Sequence, residues 1–326
     1  MLIDNHGRPI TYLRLAVTDR CNLRCFYCMP EEGITFLPKP HLLTFEEMLR
    51  MVRMMAELGI KKVRITGGEP FVRKELMSFL RALVAIPGIE KVNITTNGVL
   101  TEHLVPELKA LGISSINLSL DTLDRERFKE MTRRDELPNV LRTLDALLEH
   151  EIDTKINAVV MAGKNDQDIL PLVGLSEKMP VSVRFIEEMP FNGSGLNEAA
   201  FMSYHKILDI IKEAHPSLAK LKDEASSTSY NYSIANHLGN VGVIAAYSRT
   251  FCGTCNRIRV TPTGTLKTCL YDDGVLNIRD LLRSNTDDVE IKEILTKVFT
   301  NRHKDGFEAE ANRKSEVTES MTTIGG

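Results

Sequence analysis

Six cysteines stand in two groups of three, Cys21, Cys25 and Cys28, then Cys252, Cys255 and Cys269. The first group has the spacing C-x3-C-x2-C and the second C-x2-C-x13-C. In a large intracellular chain, clustered cysteines are more often ligands or catalysts than disulfides. An even count would permit three disulfides, but the close spacing within each group argues for two metal sites. Three thiolates can hold three irons of a [4Fe–4S] cluster, which normally takes four cysteines. The missing fourth leaves one iron open, as a catalytic metal site requires. Structural zinc is the competing reading. It usually closes with four ligands, and His41, past Pro38 and Pro40, is the nearest fourth ligand for the first group. For the second group the alternative is a zinc knuckle that borrows a ligand.

Other residue types sit where chemistry could use them. Arg257 and Arg259 alternate along an expected strand, so both point to one side. Guanidinium forks match phosphate and carboxylate geometry; plain surface arginines are the competing explanation. Gly67-Gly68-Glu69-Pro70 follows a strand, and glycines there allow close backbone approach. Polar groups recur at strand ends: Thr95, Thr96 and Asn97; Ser119 and Asp121; Lys155; Met189 follows another strand. Each taken singly is also explained as a helix cap or packed turn. Arg14, Arg64, Lys155 and Arg184 fall on strands, where a charge is costly to bury unless paired. That argues for a ligand, with internal carboxylates as the rival account.

These groups need elements to hold them. Short β-branched runs at 12–18, 61–66, 91–96, 114–120, 154–161 and 181–187 read as strands. Helical patterns lie between them, at 44–58, from Thr101 as the expected cap to Gly112 as the stop, at 124–131, 138–150 and 166–178. Thr44 with Glu47 forms a capping box. Strand–helix alternation implies parallel βαβ units, and six units give an α/β fold, an open, TIM-like partial barrel. Strand ends at the C-terminal face of such a barrel carry active-site groups. Residues 190–200 read as a loop and 221–240 as irregular, followed by strands at 241–247, 257–261 and 265–270. The tail from 302 lacks an apolar period and reads as flexible unless a ligand orders it. The expected division is a barrel over 1–220 and a C-terminal α+β region over 221–326.

Composition sets outer bounds. Among 326 residues, 43% are hydrophobic and 26% charged, ordinary for a globular protein. A net charge of −3 gives no reason to expect nucleic acid, while local basic residues can still bind a small anion. No apolar run is long enough for a bilayer. The start of the chain lacks a signal-peptide pattern, so a cytoplasmic location is expected.

CNLRCFYC, with an aromatic residue before its third cysteine, resembles the signature of the radical S-adenosylmethionine (SAM) superfamily, and GGEP resembles that superfamily's SAM-binding turn. RLAVTDRCNLRCFYCMP, KKVRITGGEP, ITTNG, INLSLD, VRFIEEMP, FCGTCNRIRVTPTGTLKTC and the final double glycine together resemble the GTP 3′,8-cyclase family of molybdenum cofactor biosynthesis. The resemblance implies a radical SAM barrel and two [4Fe–4S] clusters, the second carried by the C-terminal region against the guanine of GTP. It implies that SAM is cleaved to methionine and a 5′-deoxyadenosyl radical. The radical takes the C3′ hydrogen of GTP, and C3′ attacks C8 to give 3′,8-cyclo-7,8-dihydro-GTP. By motif, Tyr27, Gly68, Ser119 and Met189 would line the SAM site. Arg14, Arg64, Thr95, Lys155, Arg257 and Arg259 would contact GTP, with Lys62 and Arg184 beside them, and Arg257 and Arg259 would carry catalysis. The implied partners are a reductant and a cyclic pyranopterin monophosphate synthase that takes the product; a homodimer is compatible with the sequence, and no membrane or nucleic acid is implied. Residues 311–322 match the family's tail only loosely. Two other readings stand beside this one: a peptide-modifying radical SAM maturase, and a non-catalytic zinc module.

Overall fold

The computed structural model describes residues 2–29, 33–34, 36–189, 201–314 and 320–324. The predicted loop at 190–200 falls on residues outside this set, as does the terminal Gly325-Gly326.

The chain opens with strand–helix alternation. Strands β1 (Tyr12–Ala16), β2 (Lys62–Thr66), β3 (Lys91–Thr96), β4 (Ser115–Ser119), β5 (Thr154–Val160) and β6 (Ser182–Glu187) occur at all six expected places. Between and after them run helices α1 (Phe45–Glu57), α2 (Leu76–Val84), α3 (Val105–Ala110), α4 (Arg125–Thr132), α5 (Leu137–Glu149), α6 (Ile169–Lys178) and α7 (Tyr204–Ala214). The Thr44 capping box forms with both bonds, Glu47 N–H to Thr44 Oγ1 at 3.2 Å and Thr44 N–H to the Glu47 carboxylate at 2.8 Å. Thr101 departs from expectation. It precedes a 3-10 turn, caps nothing with its side chain, and lies buried against the Thr96 hydroxyl at 3.0 Å.

Strands β7 (Ala219–Lys220), β8 (Ser229–Ser233), β9 (Asn240–Ile244), β10 (Arg257–Val260), β11 (Thr265–Lys267) and β12 (Leu276–Asn277) complete the sheet. Its order is β12-β11-β10-β1-β2-β3-β4-β5-β6-β9-β8-β7. The C-terminal part thus adds a parallel strand to each edge of the six-strand set: β10 beside β1 and β9 beside β6. The short antiparallel strands lie outside these. Part of the region 221–240 is therefore ordered as β8, where Tyr230 and Tyr232 alternate with polar residues.

Helices α8 (Ile278–Arg283), α9 (Asp288–Thr300), α10 (Gly306–Ala311) and α11 (Met321–Ile324) follow. The tail from 302 is packed rather than loose in its described parts: Arg302, Ala309, Ser320, Thr322 and Ile324 are all buried. Its anchors are isolated apolar or polar residues meeting distant partners, a pattern without a local period.

Each inner strand is apolar on the side that meets the helices. Leu13, Leu15, Val63, Ile65, Val92, Ile94, Ile258 and Val260 pack with α1, α2, α8 and α9 in one core, and β4 to β6 and β9 pack with α4 to α7 in a second. Phe299 of α9 is fully buried in the first core. Phe299→Ala is expected to lower unfolding free energy by about 3–5 kcal/mol, read by chemical denaturation. A loss below about 1 kcal/mol would show that α9 contributes little to that core.

Candidate active site

The other side of each strand faces a cavity of about 760 Å³. Period-two alternation puts Tyr12 and Arg14, Lys62 and Arg64, Asn93 and Thr95, Asn117 and Ser119, Lys155 and Asn157, and Arg184 on its wall. Register lines up the cations. Arg14 sits between Arg259 and Arg64 on the neighbouring strands, and Tyr12 between Arg257 and Lys62. Asn117 lies opposite Lys155, and Asn157 opposite Arg184.

So many like charges sheltered from bulk water perturb one another. Burial, then the Arg259 charge, holds the Arg14 guanidinium well below its usual range. Burial and neighbouring arginines bring Arg259 and Arg184 down to about 10. Lys155 is lowered chiefly by burial, against the ion pair it makes with Asp153. Tyr12 accepts a hydrogen bond from Arg64 Nε at 2.6 Å and lies 4.7 Å beneath the Lys62 ammonium. Burial raises its value, but Arg64, Arg14 and Lys62 outweigh this and bring it down to about 7. Buried polar atoms on the same wall lack a partner among the described residues, namely Arg14 Nε, Arg184 Nε, and the amide oxygens of Asn117, Asn157 and Asn256. A wall of crowded cations with unused donors and acceptors suits a polyanion that also carries polar groups.

The first three cysteines lie on the loop after β1, on the same cavity. Backbone bonds from Arg24 N–H to Thr132 O at 2.9 Å and from Phe26 N–H to Met131 O at 3.1 Å pin this loop to the end of α4. The GGEP turn closes it from the other side. Gly68 N–H donates to Thr18 O and Glu69 N–H to Arg20 O, each at 2.8 Å. A Cβ at Gly68 would run into the Arg20 carbonyl, so this glycine serves the approach of one protein segment to another. Glu69, fully buried, accepts from Asn97 N–H at 2.7 Å, Thr96 Oγ1 at 2.9 Å and Phe71 N–H at 3.1 Å. Burial pushes its carboxyl up to about 7, against those three bonds. Tyr27 donates to Asp121 at 2.6 Å, and burial raises both groups, Asp121 to about 6. Ser320, just before α11, donates to Cys28 O at 2.6 Å, and Met321 and Thr322 reach the cavity.

Cys252 opens a 3-10 turn after β9, Cys255 follows that turn, and Cys269 follows β11. Asp272 secures the latter, accepting from the Thr268 and Cys269 amides, each at 2.8 Å. All six cysteines are free thiols on one cavity. Among the described residues no three His, Cys, Asp or Glu side chains converge as a single bound ion requires. A four-iron cluster takes one thiolate at each iron, so three free cysteines facing one cavity are a donor set that suits it. Burial pushes Cys21 and Cys269 up to about 11 and raises Cys25, Cys28 and Cys252 as well. Such thiols give up their protons when a metal cation supplies the compensating charge. Cys255 differs: burial raises it, yet the Arg257 and Arg302 guanidiniums bring it down to about 6.

The Radical SAM superfamily model matches residues 15–175, and the Molybdenum Cofactor Synthesis C model matches residues 181–308. A GTP 3′,8-cyclase of Clostridium perfringens is 41% identical, over 99% of this chain and 99% of its own. The chain belongs to the GTP 3′,8-cyclase family. Molybdenum cofactor biosynthesis protein 1 of Bos taurus is also 41% identical over 90% of this chain, which spans only 47% of that longer protein. Among solved structures, Streptococcus suis SuiB bound to precursor peptide SuiA superposes with a TM-score of 0.64 at 16% identity, covering 95% of this chain and 69% of SuiB. That likeness shows the radical SAM fold alone. As a radical SAM protein, this GTP 3′,8-cyclase family member works with SAM and an iron–sulfur cluster.

Tyr27, Gly68, Ser119 and Met189 all lie on the cavity wall, as do Arg14, Arg64, Thr95, Lys155, Arg257, Arg259, Lys62 and Arg184. Sequence reading passed over Tyr12, Asn93, Asn117 and Asn157. The signal for them is polar residues at every second position of strands otherwise apolar.

Two outcomes follow from the charge row. The Tyr12 phenol ordinarily titrates at 10.0, so its depressed value adds folded stability as pH rises from about 7 to 10, a gain absent below 7. Cluster-free protein should show a phenolate absorbance step near pH 7 that Tyr12→Phe removes; an unchanged step would assign it elsewhere. Arg14→Met should stabilise the cluster-free protein by on the order of 1 kcal/mol, by analogy with replacement of buried charges. It should also weaken the thermal shift produced by inorganic triphosphate. A destabilised variant with an undiminished triphosphate shift would refute the repulsion.

Proposed function

We propose that this chain converts GTP to 3′,8-cyclo-7,8-dihydro-GTP, the first step toward the molybdenum cofactor. The observation that carries the reading is one cavity lined by both cysteine triads and by the arginine row between them. Residues 1–220 form the barrel that binds SAM, and 221–326 bring the second triad to the substrate. Cys21, Cys25 and Cys28 hold one [4Fe–4S] cluster, and Cys252, Cys255 and Cys269 hold another. Bound there, cluster and SAM supply the one-electron chemistry that starts a radical reaction.

The protein's own groups bind, aim and shield. Tyr27, Gly68, Ser119 and Met189 line the SAM side. Arg14, Arg64, Thr95, Lys155, Lys62 and Arg184 neutralise and orient the triphosphate and sugar. Arg257 and Arg259 hold the nucleotide near the second triad so that the reacting carbons meet, since orientation governs such a closure. Relief of repulsion among these cations on binding a polyanion supports the assignment. An external reductant supplies electrons, and the product passes to a cyclic pyranopterin monophosphate synthase. Six free thiols fit a reducing cytoplasm; among the described residues no helix is long and apolar enough to cross a membrane.

Anaerobic turnover of reconstituted protein with reductant and SAM is the test, read by mass spectrometry. GTP should drive formation of 5′-deoxyadenosine and a cyclised nucleotide, and ATP should not. Arg257→Ala and Arg259→Ala should each cut product by about 100-fold or more with iron content retained. SAM cleavage indifferent to GTP would defeat this substrate and favour a peptide-modifying reaction.

A further inference from the structure

Arg302 follows α9, far in sequence from either cysteine group, and is buried. Its guanidinium sits at the Cys255 end of the second triad. Nη1 donates to Cys255 O at 3.0 Å, and Nη2 donates to Arg257 O at 3.0 Å and Thr268 O at 2.8 Å. Nη2 also lies 3.6 Å from Cys255 Sγ, within hydrogen-bonding range of a thiolate. One planar fork therefore ties the turn bearing Cys255 to the residue preceding Cys269. The fork is itself oriented. Asp4, also buried, receives Arg302 Nη1 at 3.3 Å and Arg8 Nε at 2.7 Å. Arg8 in turn donates to Cys252 O at 3.1 Å. The residue's backbone is held as well, its N–H by Asn5 Oδ1 at 2.9 Å and its carbonyl by His6 Nε2 at 2.9 Å.

A side chain placed only for packing would need neither the cation nor the contact to sulfur. Hydrogen bonds and positive charge at cluster sulfurs favour the reduced, more negative state. A planar guanidinium fits this multi-point clamp in a way a lysine ammonium does not. We infer that Arg302 is a positioning residue for the second cysteine triad, fixing Cys255 relative to Cys269 and raising the reduction potential of the cluster held there. The inference rests on the proposal that this triad carries a [4Fe–4S] cluster.

The test uses the full chain with Cys21, Cys25 and Cys28 changed to Ala, so that only the second triad can bind iron. After anaerobic reconstitution, iron content and an EPR-monitored redox titration are compared with and without Arg302→Lys and Arg302→Gln. The parent should hold about four irons per chain. Arg302→Lys, which keeps the charge and loses the fork, should shift the potential downward, and Arg302→Gln, which loses the charge, should shift it further. Unchanged potentials at full iron loading in both variants would overturn the inference. If Arg302→Gln does not fold, Arg302→Lys decides alone: a lower potential supports the role, and an unchanged one refutes it. A well-folded parent that binds no iron would instead defeat the second-cluster reading on which the inference stands.

Discussion

Parallel pairing in a single register governs this molecule. From β10 through β1 to β6 and on to β9, every neighbouring pair runs parallel. One set of alternate side chains is thereby committed to the helices and the other to a shared interior. The helix side is filled with aliphatic residues and supplies the burial energy. The interior side is released from packing duty and can carry arginine, lysine, asparagine and tyrosine in rows. A one-residue slip of β1 would exchange Arg14 with Leu13 or Leu15 and destroy core and cavity together.

The cavity wall stores electrostatic cost. Arg14, Arg64 and Arg259 occupy adjacent register positions. Partial relief comes from Tyr12, drawn toward its phenolate form, and from Asp153 beside Lys155. The helices and the two apolar cores hold this strained surface in place. A polyanion entering the cavity meets cations already aimed, with little reorganisation left to perform.

Much of this was readable from residue types and order. The strands β1 to β6 were visible because β-branched runs alternate with capped helical patterns, and Thr44 with Glu47 marked a helix start correctly. Cysteine spacing pointed to metal chemistry, and GGEP and the Arg257/Arg259 alternation pointed to its neighbourhood. What stayed hidden depends on contacts distant in sequence. Thr101 looked like a cap, yet its hydroxyl is used inside the fold against Thr96. The segment around Tyr230 and Tyr232 read as irregular because its pairing partner, β9, decides its conformation. Arg302 sits in a charged stretch without periodicity, and its partners are Asp4 and residues 255–268. Nothing local to it shows that the chain returns there.

The Asp4–Arg8–Arg302 knot also fixes an order in time. A ribosome delivers Asp4 and Arg8 about three hundred residues before Arg302. Until then the turn at Cys252–Cys255 lacks the clamp that joins it to Thr268, while the loop at Cys21–Cys28 is already backed by α4 and the GGEP turn. Since domains fold as they emerge, the two cysteine loops mature at different stages of synthesis. The first loop gains most of its backing before Arg302 is made and its Ser320 contact afterwards, whereas the second waits for Arg302 itself.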